Sequence, residues 1–227
     1  MNSKHLIFIF ISSLVLGCGP KPNGDSSQSN QNQIEDQPNK TDVDQVIIAH
    51  SSKGEKNQPL VATILNRVVG GAEGAFIGHQ MDQMANQLKN KFPKANISRI
   101  GEGVLMKLDQ DSDFRFQDDQ ISLTNQQKNQ LKKLSQLLKI HQQTKVYFVN
   151  HTHAFSSLVK NKQIAKKRVK QIAMQLKSMK LDSNRLIFDW QAHEQASSDS
   201  NSDQRLEIGI IAGKKMLNQA RESISDK

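Results

Sequence analysis

A short apolar run with polar residues directly after it sets the strongest limit on the fold of this chain. Residues 146–149 have the length and character of a buried strand, and the polar residues 150–153 follow at once. A helical pattern begins near Asn161. In α/β sheets, ligands commonly bind where a strand leaves the sheet. We therefore expect an α/β fold with a ligand site at the end of this strand.

The periodicity of residues 96–212 predicts one compact α/β domain. Apolar runs and alternations predict four strands, and a 3.6-residue repeat predicts two helices between them. Thr124 and Gln127 have the spacing of a capping box at the start of the first helix. This order implies a βαβαββ sandwich, in which a mixed four-stranded sheet carries its helices on one face. The predicted strands are 103–109, 145–150, 185–190 and 205–211, and the second helix is 161–179.

The first eighteen residues have the pattern of a lipoprotein signal. Residues 6–16 form a mostly apolar run, which fits a secretory signal but is shorter than the roughly twenty residues of a membrane span. Val15-Leu16-Gly17-Cys18 resembles the bacterial lipobox, in which the cysteine is acylated, for example with palmitate. Cys18 is the only cysteine and has no disulfide partner in the chain. An ordinary cleaved signal peptide is the alternative. If the lipobox resemblance holds, Gly19 after the cysteine favours sorting to the outer membrane.

Residues 18–59 consist mainly of Gln, Asn, Ser, Asp, Lys and Pro. Such a segment buries too little apolar surface to offset the entropy of ordering it, so we predict a disordered tether. The resulting division of the chain is a signal peptide at 1–17, a lipidated tether at 18–59, a Gly-rich segment and helix at 60–95, the α/β domain at 96–212, and a terminal helix or tail at 213–227.

Glycines recur every four residues at Gly70, Gly74 and Gly78. On a helix, this spacing would form a groove in which another backbone can approach closely. A Gly-rich loop is the alternative. A helical pattern follows from Met81 to Leu88, and Phe92-Pro93 is expected to end it.

The balance of charge and motifs limits the classes of function. The formal net charge is +9, and much of the excess lies within residues 128–180, which favours an anionic partner such as phospholipid, lipopolysaccharide or an acidic glycopolymer. Export and an aromatic content of 5% argue against nucleic acid. The sequence has no Gly-x-Ser-x-Gly motif and no Walker-type loop. We expect neither enzyme activity nor a cofactor.

Residues 96–211 resemble the OmpA-like domain family, whose members bind the peptide stem of peptidoglycan. The upstream Gly-rich segment with Met81-Asp82 resembles a glycine-zipper stretch of outer-membrane lipoproteins. The pieces that carry the domain resemblance are Phe114-Arg-Phe116, Leu123, Asn150-His-Thr-His153, Asn161, Arg168, Asn184-Arg185-Leu186 and Gln204-Arg205-Leu206-Glu207-Ile208.

The resemblance implies a site for diaminopimelate, in which an Asp pairs with the ammonium and an Arg with the carboxylate. Arg168 and Asn161 stand fifteen and eight residues after the position of that Asp, as in the family, but the position itself holds His153. An imidazole cannot replace a carboxylate opposite an ammonium. The family's Gly and its Asn-Arg pair are here Asn150 and Asp203-Gln204. The residues expected to bind the stem are Asn161, Arg168, His153, Thr152, Arg205 and Asp203.

Several interpretations remain open for this site. In the first, another acid such as Asp203 or Asp189 supplies the missing charge, or the stem carries a different diamino acid. In the second, the domain has lost diaminopimelate binding and serves as a structural or interaction module of the envelope. An envelope protein and a second copy of the chain are the further expected partners. Arg168 has a structural alternative, in which its stem covers the core and its charge reaches solvent.

A metal site formed by histidines 151 and 153, with His193 nearby, is a further alternative. Zinc usually takes three or four such ligands, so we expect no metal. The committed interpretation is an outer-membrane lipoprotein that faces the periplasm and links the membrane to the cell wall without catalysis.

Overall fold

The computed structural model describes residues 59–225, apart from 110–111, 113, 118, 155 and 193–203. The predicted signal peptide and nearly all of the predicted tether therefore lie outside the described residues.

A five-stranded mixed sheet forms the centre of the molecule, with the strand order β1-β2-β5-β3-β4. β3 and β4 are parallel, whereas the other neighbours are antiparallel. The α/β class and the mixed sheet are thus confirmed. The strands are β1 (Asn96–Ile100), β2 (Gly103–Leu108), β3 (Thr144–Thr152), β4 (Leu186–Ala192) and β5 (Arg205–Ala212).

The sheet has one strand more than the four predicted. β1 is five residues long and pairs with β2 across a two-residue turn. The turn contains Gly101 at φ 52, a left-handed conformation that glycine adopts without steric cost. A strand of this length with few apolar residues has a weak sequence signal, because it lies at the edge of the sheet and only Ile97 is buried.

Four long helices cover one face of the sheet and share a single apolar core with it. The core includes Val146 and Phe148 of β3, Leu206 and Ile208 of β5, and side chains from every one of the four helices. These helices are α2 (Gly71–Lys91), α3 (Asn125–Ile140), α4 (Leu158–Ser178) and α5 (Lys214–Ser225).

A short helix, α1 (Leu60–Leu65), lies on the opposite face of the sheet. It precedes the predicted domain at 96–212, whose own helices lie on one face as expected. Leu60 and Ile64 pack there against the strand residues Tyr147, Val149 and Ile211. A Cβ on Gly209 would lie 2.9 Å from Leu60, so this glycine lets α1 approach the sheet. Six residues are too few to show helical periodicity, which is why the sequence did not reveal α1.

The capping box of α3 forms as predicted. The Gln127 N–H donates to the Thr124 hydroxyl at 3.1 Å, and the Thr124 N–H donates to the Gln127 side chain at 2.8 Å. Gln127 also donates its side-chain N–H to the Arg115 carbonyl at 2.9 Å. The cap therefore fixes the start of the loop from 115 to 123 as well as the helix.

The glycine face of α2 receives side chains from the β1–β2 hairpin. A Cβ on Gly74 would lie 2.1 Å from Glu102, and a Cβ on Gly78 would lie 3.6 Å from Arg99. Gly70 precedes the helix at φ 78, and its N–H donates to the Glu102 carboxylate at 2.7 Å. Small residues here make room for the chain's own hairpin. Phe92 caps the C-terminus of α2, close to the predicted end.

Within the part of the chain that the structure describes, no helix has the length and apolarity needed to span a bilayer.

The packing of α1 predicts unequal effects for two neighbouring residues. Ile64 is 1% exposed and Leu65 is 49% exposed. Ile64→Ala should lower the free energy of unfolding by about 2–5 kcal/mol, because it leaves a cavity against the sheet. Leu65→Ala is the matched control and should change it by less than about 0.5 kcal/mol. Denaturant titration of both variants measures the difference, and equal effects would show that α1 does not cover the second face.

Candidate functional site

Three polar residues that the sequence singled out come together at the end of β3. Thr152 is the last residue of β3, and Asn161 and Arg168 lie on α4. The two helical residues are seven apart and share the face that turns toward the sheet. Each of the three is 0% exposed, so they form a buried polar corner within the described residues.

Arg168 joins helix α4 to the loop that precedes α3. Its Nε donates to the Gln120 carbonyl at 2.8 Å, and its Nη2 donates to the Gln117 carbonyl. Its guanidinium carbon lies 4.8 Å from the centre of the Phe116 ring, within the range of a cation–π contact. Full burial excludes the alternative in which the arginine charge reaches solvent.

Thr152 connects this arginine to the sheet. Its hydroxyl accepts from the Asn150 side chain at 3.2 Å and lies 3.5 Å from Arg168 Nη1. Asn150 and Thr152 are two residues apart on β3 and therefore face the same side. Asn150 thus places a buried amide beside the corner.

Asn161 contributes a buried acceptor to the corner. Its side-chain N–H₂ donates to the Ser156 carbonyl at 3.0 Å. Its Oδ1 is buried and has no hydrogen-bond partner among the described residues. Buried polar atoms are nearly always paired, so this oxygen marks a place where a donor from a ligand or a water fits.

Asp189, one of the two acidic residues considered in the sequence, does not complete the corner. Asp203 lies outside the described residues. Asp189 pairs with Val149, whose side chain packs on the α1 side of the sheet, so Asp189 faces away from Arg168. Its carboxylate accepts from the Trp190 N–H at 2.7 Å. His153 follows β3 directly and is half-buried.

Arg205 does not join Arg168 either, because alternate residues of β5 point to opposite faces. Leu206 faces the helices, so Arg205 and Glu207 face the other side. Arg205 Nε donates to Glu207 at 2.8 Å, and His151 Nε2 lies 3.2 Å from the same carboxylate. These three residues belong to a separate ionic cluster.

The ionic cluster strongly favours a charged Glu207. Burial by itself would raise the pKa of Glu207, but the hydrogen bond and charge of His151, followed by those of Arg205, outweigh it and lower the pKa from its usual 4.5 to about 2. Lys107 Nζ adds a weaker contact at 3.7 Å. The carboxylate therefore stays ionised in the folded protein until the pH approaches 2.

No group of three or more His, Cys, Asp and Glu residues is placed to hold a metal ion within the described parts of the chain. His151 contacts Glu207 in the ionic cluster, and His193 lies outside the described residues.

Sequence reasoning missed several groups that shape the corner. Gln204 is 4% exposed and donates its side-chain N–H₂ to the Phe116 carbonyl at 2.6 Å. The carbonyls of Gln117 and Gln120 hold Arg168, and a backbone acceptor leaves no mark in a sequence. Gln204, by contrast, had a signal, since it stands two residues before Leu206, whose side chain faces the core.

A comparison with protein families assigns part of this chain. The model of the OmpA family matches residues 115–207. This segment is an OmpA-like domain. It carries the corner, since it includes the loop, the end of β3 and helix α4. No curated protein matches the chain.

Solved structures resemble the chain at low sequence identity. A MotB-like protein from Desulfovibrio vulgaris is 10% identical, has a TM-score of 0.52, and the match covers 61% of this chain and 95% of that one. The cell wall anchor of the T6SS from Pseudomonas aeruginosa is 15% identical, with a TM-score of 0.46 and coverage of 57% and 96%. The peptidoglycan-associated lipoprotein from Burkholderia pseudomallei is 17% identical, with a TM-score of 0.37 and coverage of 43% and 86%. The first of these similarities supports the fold alone.

The ionic cluster gives a prediction for acid stability. Since the folded pKa of Glu207 lies below its unfolded value, its contribution is present above about pH 4.5 and is lost as the pH falls toward 2. Glu207→Gln should lower the free energy of unfolding by roughly 2–3 kcal/mol at pH 7. The difference in stability between wild type and the variant should narrow between pH 4.5 and 2. Thermal melts across this range measure it.

The exposed Glu222 on α5 provides the control. Glu222→Gln should follow the wild-type curve at every pH. A gap between wild type and Glu207→Gln that stays constant from pH 7 to pH 2 would contradict the role of this cluster.

Proposed function

We propose that the OmpA-like domain binds peptidoglycan non-covalently and links the cell envelope to the wall. The observation that carries this proposal is the buried corner of Thr152, Asn161 and Arg168, with an unpaired acceptor on Asn161. A guanidinium attracts the carboxylate of a peptide stem, and the Asn161 oxygen suits an N–H donor of the same stem. His153 stands at the rim, where the family has an acid, and Asp203 would supply that charge.

The rest of the chain fits an envelope protein. We propose that Cys18 is acylated, that the segment following it tethers the domain to the outer membrane, and that the domain faces the periplasm. The lipobox-like tetrapeptide and the single cysteine support this part. Catalysis has no role in the proposal, which needs only a site that holds one end of a polymer.

A second candidate function rests on the hydrogen bonds of Arg168. Its guanidinium is fully buried and already bonds two loop carbonyls, as a purely structural arginine would. The domain would then be a module that holds a partner protein or a second copy of the chain, without affinity for diaminopimelate. The two candidates predict different results in a binding assay.

The first test is sedimentation of the purified full chain with insoluble peptidoglycan. Wild type should be retained, and Arg168→Lys should lose at least tenfold in affinity, because an ammonium cannot form the two-pronged contact with a carboxylate. Lys167→Ala is the matched control, since it removes an exposed charge next in sequence and should bind normally. A well-folded wild type that stays in solution would favour the structural module.

The second test restores the acid that the family has. His153→Asp should strengthen retention on peptidoglycan by tenfold or more, because it returns a carboxylate partner for the ammonium of the stem. His79→Asp, on α2, makes the same exchange away from the corner and should have no effect. Unchanged binding in His153→Asp would show that the stem does not pass this residue.

A further inference from the structure

A basic cavity of about 790 Å³ opens at the other end of the sheet. It lies where β3 begins, where the chain turns into β4, and where α5 starts after β5. The Arg168 corner lies at the last residue of β3, which is roughly 26 Å away along the strand. The cavity is therefore separate from the site proposed for peptidoglycan.

Cationic side chains dominate the lining of the cavity. The lining has one carboxylate, Asp182. It accepts a hydrogen bond from the Asn184 N–H at 3.0 Å and so caps a short 3₁₀ turn. The cationic lining residues are Lys139, Lys145, Lys180, Arg185, Lys214 and Lys215.

Arg185 is held rigidly at the base of this group. Its Nε donates to the Thr144 carbonyl at 2.7 Å, and its Nη2 donates to the His141 carbonyl at 2.7 Å. It therefore contributes a fixed positive charge. The lysines come from three other elements, namely the end of α3, the start of β3 and the start of α5, together with Lys180 after α4.

The lysines lie near other positive charges, and a bound anion would reduce the repulsion between them. The pKa of Lys145 is lowered, first by burial and then by the positive charges of Arg67 and Lys214. The fold thus places like charges near one another, and their repulsion destabilises the folded protein. The first turn of α5 adds amide N–H groups that have no acceptor within the helix, and the positive end of the helix dipole, since Lys214 is the first residue of this twelve-residue helix.

We propose that this cavity binds an anion that carries several phosphate groups. The number of cations on separate elements suits clustered negative charges better than a single carboxylate. A volume of about 790 Å³ also exceeds what one phosphate fills, and falls within the range of sites for larger ligands. The chemistry is that of grouped phosphates, on a lipid headgroup or on a soluble phosphate ester.

Titration calorimetry of the full chain with sodium tripolyphosphate tests the proposal at low ionic strength, where screening is weak. Lys145→Gln combined with Lys214→Gln should lower the affinity by at least tenfold. Lys128→Gln combined with Lys132→Gln removes the same charge from an exposed face of α3 outside the cavity and should lower it less than twofold. Equal losses in both pairs, or no binding by wild type, would overturn the proposal.

Stability provides a check on folding. Because burial and neighbouring cations disfavour the charged form of Lys145, the cavity variant should melt at or above the wild-type temperature. Competition then separates the two sources of phosphate. Vesicles of cardiolipin, whose headgroup carries two phosphates, assign the site to lipid headgroups if they displace tripolyphosphate from wild type, and assign it to a soluble ester if they do not. Retention on peptidoglycan should not change in the cavity variant, so this proposal and the peptidoglycan proposal can fail independently.

Discussion

The buried guanidinium of Arg168 is the interaction on which the candidate site depends. A charge without water is costly unless its donors are paired, and this one is paired with carbonyls 48 and 51 residues earlier in the chain. The ring of Phe116 lies against its flat surface. The loop before α3 consequently takes its position from α4, although the two are distant in sequence. Any ligand of the corner must meet a loop that the arginine has already ordered.

The side chains of a strand alternate between the two faces of the sheet, and in this protein the two sets have different roles. In β5, Leu206 and Ile208 enter the main core, while Arg205 and Glu207 lie on the side that α1 partly covers. Because successive side chains of a strand point to opposite faces of the sheet, neighbouring residues cannot contribute to the same site. Motif residues that are adjacent in sequence, such as Gln204 and Arg205, therefore act apart, one on the loop of the corner and the other in the ionic cluster.

Much of the fold followed from periodicity, and the site followed only in part. Strands β2 to β5 and the capping box were predictable because each carries a repeated or paired signal. α1 and β1 were not, since each has too few residues for a pattern. In the site, the family resemblance predicted that Asn161 and Arg168 belong to one site, whereas the backbone carbonyls that bind Arg168 cannot be recognised from residue type. Which face Arg205 occupies depended on strand register, which the sequence left open.

The two ends of the sheet show how the same residue chemistry serves structure and binding differently. Arg168 and Arg185 both bond backbone carbonyls around a loop, and the rigid fork of five donors makes arginine suited to that task. Lysine has a flexible stem and a compact ammonium group, so it holds a loop in place less well than arginine does. Where lysines gather beside such an arginine, as around Lys145, the extra charge contributes nothing to loop geometry. The crowding destabilises the free protein slightly, and that cost is recovered only when an anion enters.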